Sequence, residues 1–129
     1  MEKLQMIFGI GTDLIEVKRI ENLIEKSSRF RDRVFTQREI EYCERKKNRA
    51  CSYAARFAAK EAFFKALGTG WRKGVAFQDV EVINKPSGKP ELVLYGKSKE
   101  LSEHNHITNI HVSLSHVSEY AHSVVILEK

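Results

Sequence analysis

The stretch FAAKEAFFKALGTG, residues 57–70, reads as a helix running into a glycine turn. With its upstream residues the helix covers about 50–67, and Gly68 and Gly70 punctuate its end. At about 100° per residue, Ala54, Phe57, Ala58, Phe64 and Lys65 fall within about 60° of Glu61. The far side carries Ala59, Phe63, Ala66 and Leu67. A helix that is apolar nearly all round belongs inside a fold. Glu61 therefore does not reach water by facing away from the core. An ionised, unpaired carboxylate is costly to bury. Three outcomes satisfy it: an i, i+4 pair with Lys65, protonation, or a bound cation. Lys60 points elsewhere on the wheel and is expected in solvent.

Upstream, MIFGIGT (6–12) suits a short buried strand, and Gly9 and Gly11 imply a close backbone neighbour. Asp13 follows at the expected strand end. Val17, Ile20, Leu23 and Ile24 then recur at helical spacing over roughly 14–26. Thr36 and Glu39 form a capping-box pattern that starts another helix, carrying Ile40, Tyr42 and Cys43. RKKNR (45–49) reads as a turn or a helix end.

Downstream, VAFQDVEVI (75–83) alternates like a strand, with Val80 and Val82 on one side and Asp79 and Glu81 on the other. KPSGKP (85–90) is a turn and ELVLY (91–95) the returning strand. A short helix is expected over 97–104. In IHVSLSH (110–116), Ile110, Val112 and Leu114 face one way, and His111, Ser113 and Ser115 the other. AHSVVILE (121–128) is a final strand that should pair with it. Helices first and hairpins later mean α+β: helices, one of them long and buried, packed on an antiparallel sheet.

A chain of 129 residues, 42% hydrophobic, fits one domain over 1–129. The formal net charge of +5 and the pI near 9.3 favour an acidic partner. That partner could be nucleic acid, an anionic membrane surface, a phosphorylated ligand or an acidic protein. Cys43 and Cys51 make no CxxC pair and read as reduced thiols in a cytoplasmic protein. No segment approaches the ~20 apolar residues of a membrane span. The N-terminus lacks the apolar region of a signal peptide. The rival reading, a small basic nucleic-acid-binding domain, would explain the pI, but no strand interleaves basic and aromatic residues, and it also leaves Glu61 unexplained.

Asp13 either caps the following helix or stands at the rim of the fold, where sites form. Two carboxylates from separate elements, with lysines nearby, are what a Mg²⁺ site needs; this ion takes one or two carboxylates, waters and phosphate oxygens.

Three blocks are familiar together: FGIGTDLIEVKRI (8–20), FAAKEAFFKALGTG (57–70) and HVSLSH (111–116). In order and spacing they resemble the holo-[acyl-carrier-protein] synthase family, the small 4′-phosphopantetheinyl transferases. The Gly-Lys-Pro turn at 88–90 and the final apolar strand match as well, so the resemblance covers about residues 6–127. It implies Mg²⁺-dependent transfer of phosphopantetheine from coenzyme A to a serine of apo-acyl carrier protein, in fatty acid biosynthesis, with release of adenosine 3′,5′-bisphosphate. It further implies that Asp13 and Glu61 hold Mg²⁺ against the coenzyme A diphosphate. Lys65 would neutralise a phosphate oxygen and complete the catalytic set.

Coenzyme A is expected on Lys65, Gly68, Ser115 and His116, with Gly88, Lys89 and Pro90 against its adenine end. Without a ligand, Gly88–Pro90 is simply a hairpin turn, and His111 simply meets solvent. No residue is a clear general base; a metal-bound water, Glu39 or a group from a neighbouring chain of the family's homotrimer could serve. Between Lys18 and Arg33 there are six basic and three acidic residues. The family's strongly acidic carrier protein is expected to dock on Arg19, Lys26 and Arg29, where complementary charge raises the on-rate. Otherwise these residues line a solvated helix face. Two departures stand out. MEKLQ (1–5) precedes the family's usual start at Met6 and reads as an extra leader, either disordered or left out by a start at Met6; His122 stands where the family has a small residue. A noncatalytic scaffold that holds coenzyme A or a carrier protein is a third reading, which a transfer assay separates.

Overall fold

The computed structural model describes residues 4–70 and 74–129. Of the leader MEKLQ, residues 1–3 lie outside the described residues. Leu4 is exposed, and Met6 trades backbone hydrogen bonds with Lys129 at 3.0 and 2.8 Å, which prolongs the first strand pair.

The chain runs β1 (Ile7–Glu16), α1 (Val17–Lys26), α2 (Ser28–Val34), α3 (Gln37–Glu44) and α4 (Arg49–Leu67). A 3-10 turn (Phe77–Asp79) follows, then β2 (Val80–Asn84), β3 (Pro90–Leu94), α5 (Gly96–His104), β4 (Asn109–His116) and β5 (Tyr120–Glu128). The fold is α+β. Strands β1, β5 and β4 form one antiparallel sheet in that order, and β2 and β3 form a separate hairpin. Two sheets thus replace the single one expected.

Helix α4 is the centre of the molecule. Tyr53, Ala54, Ala58, Ala62, Phe63 and Phe64 are buried to within 1%. It ends because Gly68 takes φ 85°, a left-handed conformation open to glycine, and Gly68 N–H bonds the Phe64 carbonyl at 3.0 Å. Strand β1 lies directly on it. A Cβ at Gly9 would fall 1.9 Å from the Ala66 carbonyl oxygen, and one at Gly11 would fall 1.9 Å from that of Ala62. Backbone meets backbone here because neither partner carries a bulky side chain. Phe57 stacks on Phe77 with centroids 5.3 Å apart, joining α4 to the 3-10 turn.

Several expectations are corrected. Strand β1 continues through Asp13 to Glu16 because β5 keeps pairing with it down to Tyr120, so α1 starts only at Val17. Asp13 is therefore no helix cap; Glu16 holds the cap position of α1. Helix α2 had no counterpart in the sequence reading. Val75–Asp79 is not strand: the alternation belongs only to β2.

Lys60 is not in solvent. Its ammonium is fully buried and donates to Glu39 Oε1 at 2.8 Å, the Phe77 carbonyl at 3.0 Å and the Val80 carbonyl at 2.6 Å. Burial pulls its pKa down, against the pull of Glu39. Glu39 is equally buried, closes the expected capping box with Thr36, and accepts the Val82 N–H at 2.9 Å. That position rules it out as the general base: both carboxylate oxygens are held inside the core.

Glu81, on the strand side opposite Val80 and Val82, is also buried, and Arg38, Thr36 and Tyr95 all donate to it. Burial alone would raise its pKa; the three donors and the Arg38 charge overcome this and hold it below the ordinary carboxylate range. A depressed carboxylate stabilises the fold above its unfolded pKa, and that contribution fades as pH falls through the folded one. Urea midpoints recorded from pH 7 downward should therefore fall on the acid side, and Glu81→Gln should flatten that limb; an unchanged acid limb would remove Glu81 from the account. Cys43 and Cys51 are free and buried, and burial pushes the Cys43 thiol up to about 12.

Candidate active site

On β1, Gly9, Gly11 and Asp13 alternate onto the face that meets α4. The glycines bring the strand close, and Asp13 is the first side chain past them. Its carboxylate is 16% exposed, so it is sheltered yet reachable. Lys65 extends from α4 to donate to Asp13 Oδ1 at 3.1 Å and to the Thr12 carbonyl at 2.9 Å. Glu61 lies one helical turn before Lys65 and is half-buried. The predicted trio Asp13, Glu61 and Lys65 thus comes from one helix and the strand laid against it. Lys65 itself is half-exposed.

Gly68, three residues beyond Lys65, turns the chain at the end of the same helix. Gly88 and Lys89 lie in the β2–β3 turn, and Pro90 opens β3 opposite Asn84. Gly88 takes φ 92°, and the Lys85 N–H bonds the Lys89 carbonyl at 2.9 Å. Ser115 and His116 are exposed at the end of β4. Ser115 pairs in register with His122, the neighbour of Leu14, whereas Asp13 pairs with the buried Ser123. Successive strand residues point to opposite faces, so Ser115 and Asp13 lie on opposite faces of the sheet. One chain does not gather them into a single cleft.

Arg19, Lys26 and Arg29 do converge. They line one open groove of about 950 Å³ with Phe30, Phe57 and Phe77. Its chemistry is a basic rim over an apolar floor.

The sequence reading missed a second basic hollow of about 250 Å³, lined by Arg38, Tyr42, Arg45, Arg56 and Asn84. Arg56 is 3% exposed, lies 3.9 Å over the Tyr42 ring, and donates to Asn84 Oδ1 at 2.5 Å. Its Nε has no acceptor among the described residues. Asn84 in turn donates to the Gly88 carbonyl at 3.0 Å, which ties this hollow to the Gly-Lys-Pro turn. One signal was available: Arg56 stands between Ala55 and Phe57 in the middle of α4, where nearly every position is buried.

A family model described as the 4′-phosphopantetheinyl transferase superfamily matches residues 9–125. The chain belongs to this superfamily. It is 46% identical over 125 residues to a holo-[acyl-carrier-protein] synthase of Geotalea daltonii, covering 96% of this chain and 100% of the relative. Its fold superposes on the crystal structure of holo-[acyl-carrier-protein] synthase from Neisseria meningitidis with a TM-score of 0.86 at 36% identity, over 96% of this chain and 100% of that one. The Helicobacter pylori synthase, solved in complex with coenzyme A, gives a TM-score of 0.81 at 33% identity, over 92% and 98% of the two chains. Among the described residues no helix is long and apolar enough to cross a membrane.

Proposed function

We propose that this chain is a cytoplasmic enzyme of fatty acid biosynthesis that transfers 4′-phosphopantetheine from coenzyme A to a serine of apo-acyl carrier protein. The observation that carries the proposal is the trio of Asp13, Lys65 and Glu61, placed by the glycine contact between β1 and α4 in a member of this superfamily. The donor set fits Mg²⁺: two hard carboxylates from separate elements, both partly exposed. Bound by Asp13 and Glu61, Mg²⁺ supplies Lewis-acid neutralisation of the diphosphate.

The protein's own part is positioning and charge. Lys65 leaves Asp13 for a phosphate oxygen as negative charge develops. The acceptor serine oxygen bonds to the phosphorus bearing pantetheine, the bond to adenosine bisphosphate breaks, and the serine proton passes to a base. The hollow around Arg56 and Arg45, beside the Gly88–Pro90 turn, suits the phosphate and adenine end of coenzyme A. The groove at Arg19, Lys26 and Arg29 suits the acidic carrier protein.

A homotrimer with sites between subunits is supported by two observations. Ser115 lies on the sheet face opposite Asp13, and the outer sheet face exposes Ile10 and Leu14 at 58% and 65%.

Incubation with coenzyme A, Mg²⁺ and apo-acyl carrier protein should add phosphopantetheine to the carrier, read by intact mass, with stoichiometric release of the bisphosphate. No mass change would refute the enzyme and leave a scaffold. Arg29→Glu should raise the KM for the carrier about tenfold with the KM for coenzyme A unchanged, an effect that shrinks in high salt.

A further inference from the structure

Lys60 is the most deeply buried cation among the described residues, and the chemistry above does not use it. Its three ammonium protons are all spoken for, by Glu39 Oε1, the Phe77 carbonyl and the Val80 carbonyl. The two carbonyls bracket the 3-10 turn, so one ammonium fixes both of its ends. Glu39 extends the grip, because it accepts the Val82 N–H at 2.9 Å and the Thr36 N–H at 2.9 Å. The start of α3, the turn and β2 therefore all meet on one side chain of α4.

That turn is also a wall. Phe77 and Gln78 line the groove that holds Arg19, Lys26 and Arg29. Gln78 Nε2 closes the wall by donating to the Phe35 carbonyl at 3.0 Å and to that of Asp32. Glu61 follows Lys60 directly in the same helix. Lys60 thus ties this wall to the helix that carries Glu61. Stability alone is a poor reason for such a pair, since a well-packed apolar pair often serves a core as well as a buried ion pair. What an apolar pair lacks is directional hold on two carbonyls.

We propose that Lys60, held by Glu39, is a positioning residue that registers the acceptor groove against the Asp13–Glu61 site. The proposal rests on the groove being where the carrier docks. Misplacement by about 1 Å far from the chemistry can cost a transfer reaction roughly 10²-fold, so a buried strut has leverage.

The test is steady-state kinetics on the Lys60→Met/Glu39→Gln double variant, which removes both buried charges together and keeps their bulk. Cooperative melting would establish that it folds. The expected result is a KM for apo-acyl carrier protein raised about tenfold, with the KM for coenzyme A within about twofold of the parent. A purely structural role would leave both constants unchanged in the folded fraction, or move both alike, and either result overturns the proposal. Should the double variant not fold, Gln78→Ala, at an exposed position of the same wall, decides: an unchanged carrier KM overturns the proposal. Arg29→Glu runs alongside. If Arg29→Glu leaves the carrier KM unmoved, the groove assignment is what has failed; if only the Lys60 variant does, the positioning role alone has failed.

Discussion

Glu61→Gln and Asp13→Asn should each lower kcat/KM for transfer by roughly 10³-fold, while leaving the melting temperature almost unchanged. Both substitutions keep shape and remove one negative charge. The Asp13–Lys65 pair is partly exposed, so its loss costs the fold little. The loss to the reaction is larger, because a neutral amide oxygen is a weaker ligand for a hard cation and leaves diphosphate charge uncompensated. The Mg²⁺ concentration for half-maximal rate should rise in both variants. Full activity in either one would end the metal assignment for that residue. Retained activity with an unshifted Mg²⁺ dependence in both would end the site.

The second large effect is on the fold. Gly11→Ala should destabilise the protein by about 3 kcal/mol or more and lower its melting temperature by roughly 10 °C or more. The added methyl would lie 1.9 Å from the Ala62 carbonyl oxygen and 2.7 Å from the Ala66 nitrogen, so backbone must move. Gly88→Ala is the contrast: nothing lies within 4 Å of its added Cβ, and only the φ of 92° resists. Its cost should be about 1 kcal/mol. Thermal unfolding of the two variants checks the order; equal effects would mean that the β1–α4 contact yields easily. Any shift there also moves Asp13 along Lys65, so the surviving folded fraction of Gly11→Ala should transfer slowly.

What could be read from the chain follows from how local each signal is. Helix α4, the β2–β3 turn and the β4–β5 pair carry strong periodicity or turn chemistry, and they appeared where expected. Helix α2 did not, because SRFRDRV is short and dense in charge, with only Phe30 and Val34 apolar. Ser27, whose hydroxyl accepts the Arg29 N–H at 3.0 Å, was its one usable mark. The strand end was misplaced because Leu14, Ile15 and Val17 also fit a helical repeat, and only pairing with distant β5 separates the two. Lys60 shows the limit most clearly. A wheel gives the direction in which a side chain leaves a helix, but its fate is set by Glu39, Phe77 and Val80, which lie 17 to 21 residues away. The candidate trio was visible in the sequence because each member sits in a compact motif. The Arg56 hollow was not, since α3, α4 and β2 each supply part of it.

The outer sheet face has a practical corollary. Ile10 and Leu14 on β1, with Tyr120 at the start of β5, meet water in a lone protomer. If copies of the chain cover one another there, dilution rather than crowding is the stress on the protein. Stocks should keep their specific activity at high concentration and lose it to vessel walls and slow precipitation when thinned, with mild detergent preventing the loss. Specific activity that is independent of concentration would mean that the face tolerates water by itself.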